Sequence, residues 1–158
     1  MQTLLPIAEE LAALLKERKE TISVAESSSG GLIAASMLSV GGASAYFLGG
    51  AVLYTRAGFR EMLGNTHAGK SGLHEEMAIA LARAARQKYA ATWGIAELGA
   101  AGPTGTRYGD PAGMSCIAIV GPIERAITIK TGSTDRVGNM RAFTKGALEL
   151  LKQSMSAA

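Results

Sequence analysis

Cysteine occurs once in these 158 residues, tryptophan once and histidine twice. A single cysteine, Cys116, cannot close an internal disulfide, and its place in the apolar run M-S-C-I-A-I-V reads as a buried, reduced thiol. His67 and His74 lie in or beside one predicted loop without H-x-x-x-H spacing, which argues against a metal site. No metal and no cofactor is therefore expected. No apolar run reaches the length that spans a bilayer, and the N-terminus lacks the pattern of a signal peptide. A cytoplasmic protein without membrane contact is the expectation. The excess of positive charge is also small: the net charge is +3, with no basic run, which argues against a nucleic-acid partner. Aromatic residues make up 5%, so the core must be built from Ala, Leu, Ile, Val and Met.

What is present in quantity is apolar character and glycine. The hydrophobic fraction is 47% and the charged fraction 18%, a globular balance, and the length suits one domain over residues 1–158. Helical spacing of Leu4, Ile7, Leu11, Leu14 and Leu15 predicts a helix over 2–20, and alternation predicts a strand over 21–25. A second helix is predicted over 28–39, ended by Gly41-Gly42. A strand over 47–55, a short helix over 57–63, a loop over 64–72 and a long helix over 73–91 follow. A strand over 92–98, a glycine-rich loop, an antiparallel hairpin joined by G-P-I-E and a last helix over 136–155 complete the order. Ser133, Thr134 and Asp135 offer N-caps for that last helix. Strands alternating with helices predict an α/β fold, a three-layer α/β/α domain with a mixed sheet.

One stretch carries chemistry: V-A-E-S-S-S-G-G-L, with Glu26, Ser27, Ser28, Ser29, Gly30 and Gly31 between a strand and a helix. A helix N-terminus has unpaired N–H groups and a positive dipole end, and glycine lets a ligand approach the backbone. The same residues suit a helix cap equally well, so cap and ligand site both stand at this point. No glycine stands two residues before any of these serines, which excludes the G-x-S-x-G elbow. The loop between Gly99 and Gly113 is stiffened by Pro103 and Pro111 and carries Thr104, Thr106, Arg107 and Tyr108. Loops of that length often bind ligands, and a solvated connector is the other reading.

Taken together, these blocks resemble the C-terminal domain of CinA-type proteins and their stand-alone relatives, the nicotinamide mononucleotide deamidases. The family's A-E-S-C-T-G-G appears as A-E-S-S-S-G-G, its G-S-S-A-[YF]-F-x-x-G as G-A-S-A-Y-F-L-G-G, and its V-x-Y-[ST]-N as V-L-Y-T-R. A-G-P with a following P-x-G is matched by A-G-P-T-G…D-P-A-G, and G-D-R is matched in part by T-D-R. The resemblance covers nearly the whole chain. It implies a serine amidohydrolase that converts the carboxamide of nicotinamide mononucleotide to the acid and ammonia. It places the nucleophile on Ser27 and implies substrate contacts at Glu26, Ser28, Ser29, Gly30, Gly31, Tyr54, Arg56, Gly102, Pro103 and Thr104. It also implies a homo-oligomer, commonly a dimer, with a small pyridine nucleotide as partner.

The departures from the pattern fall on the implied site. The family lysine that acts as general base stands five residues after the tyrosine, and here that position is Phe59. Its asparagine is Arg56, the hydroxyl of T-G-I-A-G-P is Leu98, and the serine of G-A-V-S-E is His74. Phe59 cannot accept a proton, and Arg60 is always protonated. Histidine ordinarily titrates near neutrality, so His74 is the replacement base the sequence offers. Three functions follow: an amidohydrolase with a rebuilt site, a binding module that keeps the pocket without the chemistry, or an interaction domain.

Overall fold

The computed structural model describes residues 1–67 and 71–158. Part of the predicted loop, residues 68–70, lies outside them. Five strands form one sheet: β1 (Ile22–Glu26), β2 (Phe47–Val52), β3 (Trp93–Ala100), β4 (Met114–Val120) and β5 (Glu124–Lys130). Their order is β2-β1-β3-β4-β5. β1 runs parallel to both β2 and β3, while β3–β4 and β4–β5 are antiparallel. The sheet is mixed, as the alternation of elements predicts.

The two faces follow from the period of two along each strand. Ile22, Val24, Trp93, Ile95, Ile117 and Ile119 point to one face. There they pack on Leu11 and Leu15 of α1 (Leu5–Arg18), Ile33 and Met37 of α2 (Leu32–Leu38), and Leu148 and Leu151 of α5 (Arg136–Ala157). Ala25, Ala96, Leu98, Cys116 and Ala118 point to the other face, toward Ala78, Leu81, Ala82 and Ala85 of α4 (Glu75–Tyr89). Small residues on both sides let α4 lie close to the sheet. A Cβ on Gly94 would stand 2.0 Å from the Ala82 carbonyl oxygen. Trp93 is fully buried, with its indole N–H donating to Glu20 Oε2 at 2.7 Å. Among the described residues no helix is long and apolar enough to cross a membrane.

Two local expectations are corrected. The helix predicted over 28–39 begins only at Leu32, because Gly30 and Gly31 take φ of 67° and 96°, which turn the chain before any helix can start. The strand predicted over 47–55 stops at Val52, which frees Leu53, Tyr54 and Thr55 to lead into α3 (Arg56–Leu63). Asp135 does occupy the N-cap of α5, but without a side-chain capping bond.

Candidate functional site

Parallel strands β1, β2 and β3 end side by side, and the residues that follow each end converge. In open α/β sheets this carboxyl edge is where crevices form. After β1 comes Ser27, after β2 comes Tyr54, and after β3 come Ala101 and Gly102, with a cis peptide bond between Gly102 and Pro103. Together with α3, the start of α4 and the β3–β4 loop they enclose a cavity of about 880 Å³.

The serine turn beneath the cavity is held by two buried carboxylates. In the parallel register Glu26 faces Glu97 across β1 and β3, and they are 1% and 0% exposed. Glu97 accepts four bonds: the N–H of Ser27 at 3.2 Å, the N–H of Ser29 at 2.8 Å, the Ser28 hydroxyl at 2.5 Å and the Ser115 hydroxyl at 2.9 Å. Glu26 accepts the Ser29 hydroxyl at 2.5 Å and the N–H groups of Ile33 and Ala34 at 3.1 and 3.0 Å. The positive end of α2 is thus occupied by the protein's own carboxylate. Ser28 and Ser29, predicted to contact substrate, are buried and spend their hydroxyls on this frame. Glu26, Gly30, Gly31 and Pro103 are likewise not among the cavity-lining residues.

Ser27 is the exception. Its backbone N–H is held by Glu97, yet its hydroxyl has no hydrogen-bond partner among the described residues, and it lines the cavity. The frame fixes the backbone of the turn and leaves the Ser27 hydroxyl uncommitted among the described residues. Tyr54, Arg56, Gly102 and Thr104 line the same cavity, so the structure brings these five predicted residues together. His74 is not among the lining residues. It occupies the N-cap position of α4 without a side-chain capping bond, and its Nε2 lies 2.8 Å from the carbonyl oxygen of Ser71, which does line the cavity.

The remaining wall is cationic and apolar. Arg56, Arg60, Arg107 and Arg136 line it, and no Asp, Glu, Lys or His does so among the described residues. Arg136, the first residue of α5, donates to the Gly102 carbonyl oxygen and, at 2.9 Å, to the Tyr54 hydroxyl. Arg56 and Arg107 each donate to the Tyr108 hydroxyl at 2.8 Å, and the Arg107 guanidinium lies 5.0 Å from the Tyr108 ring centroid. The bonds from Arg107 and then Arg56 pull the Tyr108 phenol below its ordinary pKa. Phe59, Leu63, Leu73, Met77 and Leu98 supply the apolar part of the lining, with Phe59 and Leu63 on the same face of α3 as Arg56 and Arg60. Phe59 lines the cavity where the resemblance implies a lysine.

Sequence reasoning missed Glu97 and Ser115, which organise the turn, and Asn139. Buried Asn139 donates to the carbonyls of Ala101 and Ser133, at 2.8 and 2.9 Å, and accepts from the Thr131 hydroxyl at 2.6 Å. It ties the cavity loop at Ala101 and the β5–α5 connection to α5. An acidic residue inside the otherwise apolar strand W-G-I-A-E-L-G-A was the available signal for Glu97, since a buried carboxylate needs partners.

Comparison with known proteins bears on the fold that carries this cavity. A family model described as the CinA C-terminal domain matches residues 4–155. A CinA-like protein of Desulforapulum autotrophicum is 36% identical over 96% of this chain, and one of Gloeobacter violaceus is 34% identical over 94%. The chain spans only 37% and 36% of the length of those two relatives. A crystal structure of a competence/damage-inducible protein from Agrobacterium tumefaciens superposes with a TM-score of 0.89 at 26% identity, covering 97% of this chain and 95% of the other. A CinA superfamily structure from Klebsiella pneumoniae reaches 0.91 at 22% identity, covering 98% and 99%, and shows a shared fold.

Proposed function

Because the chain belongs to the CinA C-terminal domain family, we propose that its cavity is a pyridine-nucleotide site. It would take nicotinamide mononucleotide and the corresponding acid, with the Ser27 hydroxyl set against the carboxamide. The observation that carries the reading is one free serine oxygen in a cavity walled by four arginines and an apolar patch. Arginine suits a phosphate, and the Phe59–Leu98 side suits a flat heteroaromatic ring.

The amide chemistry such a site would perform is a serine acyl transfer. Ser27 Oγ adds to the carboxamide carbon while its proton passes to a base. The C–N bond then breaks, nitrogen leaves with that proton as ammonia, and water hydrolyses the ester to the acid and restores the serine. The limiting element is the base. Neither lysine, histidine nor carboxylate is found among the described lining residues, and the His74 ring is engaged with Ser71. Loss of a general base typically removes on the order of 10²–10⁴ in rate, so slow hydrolysis of the bound nucleotide is the outcome this reading expects.

Titration calorimetry with nicotinamide mononucleotide and nicotinic acid mononucleotide, paired with an ammonia-release assay, tests the reading. Saturable binding is expected, with ammonia release close to that of Ser27→Ala. In Phe59→Lys, Ser27-dependent release should rise by roughly 10² or more. No binding of either nucleotide at millimolar concentration would refute the site. Brisk release that survives Ser27→Ala would refute the role given to the serine.

A further inference from the structure

The same cavity has a charge imbalance that bears on which nucleotide it prefers. We infer that it binds the deamidated acid more tightly than the amide, because its arginines, which have no carboxylate partner among the described residues, are set to hold two anionic groups on one ligand. This deepens the pyridine-nucleotide reading and rests on it.

Nicotinamide mononucleotide carries a phosphate of about −1.5 to −2 at pH 7 and a fixed positive charge on its ring nitrogen. The acid adds a carboxylate to that ring. Four guanidinium groups face the cavity, with no carboxylate among the described lining residues. Glu97 beneath it is turned onto the serine frame, and Asp110 in the loop accepts from Thr106 Oγ1 and the Leu73 N–H. A phosphate alone leaves arginine charge facing a cationic ring, which is unfavourable. The acid turns that repulsion into a charge-assisted pair.

Two subsites can be separated. Arg56 and Arg107 converge on one phenolic oxygen at 2.8 Å each, so their donor nitrogens are at most twice that distance apart, with only a neutral acceptor between them. An anion at that rim relieves their repulsion, which makes this pair the phosphate subsite. Arg136 instead reaches both the Tyr54 hydroxyl after β2 and the Gly102 carbonyl after β3. In the order β2-β1-β3 it therefore bridges over the end of β1, where Ser27 stands. Its guanidinium is positioned for the carboxylate on the ring.

The test is calorimetric titration of the whole chain with nicotinic acid mononucleotide, nicotinamide mononucleotide and inorganic phosphate, at about 0.1 M and about 0.5 M salt. The acid is expected to bind at least tenfold tighter than the amide at the lower salt, with the gap narrowing at the higher. In Arg136→Gln the preference should fall to about threefold or less, and Arg136→Lys should recover part of it. Arg107→Gln should weaken both nucleotides by a similar factor and leave their ratio intact. Circular dichroism and melting of each variant establish that it folds. Equal affinities, or a preference for the amide, overturn this inference and leave the pyridine-nucleotide reading standing. Binding of neither nucleotide overturns both. An undiminished preference in a folded Arg136→Gln overturns the assignment of Arg136.

Discussion

Replacing Glu97 by glutamine tests whether the serine turn is organised from below. The carboxylate meets four donors, and glutamine keeps only one acceptor oxygen. The N–H groups of Ser27 and Ser29 cannot reorient, so the amide oxygen must stay with them and the amide NH₂ must face Ser28 and Ser115. Ser115 can redirect its hydrogen to the Leu98 carbonyl oxygen, already 3.3 Å away. The Ser28 hydroxyl has no second acceptor among the described residues, and stranding a buried donor costs about 1–3 kcal/mol. Loss of charge assistance on the two retained bonds adds roughly 0.5–1 kcal/mol, since bonds to charged groups are about twice as strong as neutral ones. The total is about 1.5–4 kcal/mol. For a chain of this size that lowers Tm by roughly 3–16 °C. Glu97→Leu strands the Ser28 hydroxyl and the Ser29 N–H, while the Ser27 N–H keeps the main-chain carbonyl oxygen of residue 97 at 3.0 Å and Ser115 turns to Leu98, so it should cost roughly 2–6 kcal/mol. Urea unfolding followed by the emission of buried Trp93 provides the assay, with Ser115→Ala as a control expected near 1 kcal/mol. A Glu97→Gln protein within about 0.5 kcal/mol of the parent, the ordinary scatter of surface substitutions, would refute the reasoning.

Further consequences can be measured on the same protein. Gly99→Ala should be destabilising and should disturb nucleotide binding, because the new Cβ would stand 2.5 Å from Ser28 Oγ and 2.8 Å from Glu97 Oε1; calorimetry and melting check both. Tyr108 should ionise below an ordinary tyrosine in an ultraviolet titration, and Arg107→Gln should raise its midpoint. Because that native pKa is depressed, any stability it contributes is present in alkali and is lost as pH falls through the native midpoint. Burial raises the Cys116 thiol above its ordinary value, so it should resist a thiol-specific reagent until the chain unfolds. With a raised pKa the sign reverses: its stabilising contribution is complete below the unfolded pKa and is lost as pH climbs toward the native one.

Much of this architecture was legible because local rules suffice for it. Alternation in I-S-V-A-E and M-S-C-I-A-I-V marks strands whatever the rest of the chain does, and the G-P-I-E turn marks the hairpin. The block around Ser27 could be located, and its resemblance to the CinA C-terminal domain family pointed to the fold. The late start of α2 was not legible, since a serine run followed by glycines permits either a cap or a turn. Tertiary bonds from Glu97 and Glu26 accompany the turn.

What only the folded chain decided is the role of each polar residue. Ser27, Ser28 and Ser29 are chemically alike and adjacent, yet two hydroxyls are spent on buried carboxylates and one is left facing the cavity. That selection depends on Glu97, 70 residues away along the chain from Ser27, and no local pattern can report it. Likewise, the sequence offered His74 as a base by elimination, while the fold turns its ring to Ser71. Arginines 56, 60, 107 and 136 belong to three separate segments. Only the convergence of parallel strand ends makes them one wall, because charge acts through space rather than along the sequence.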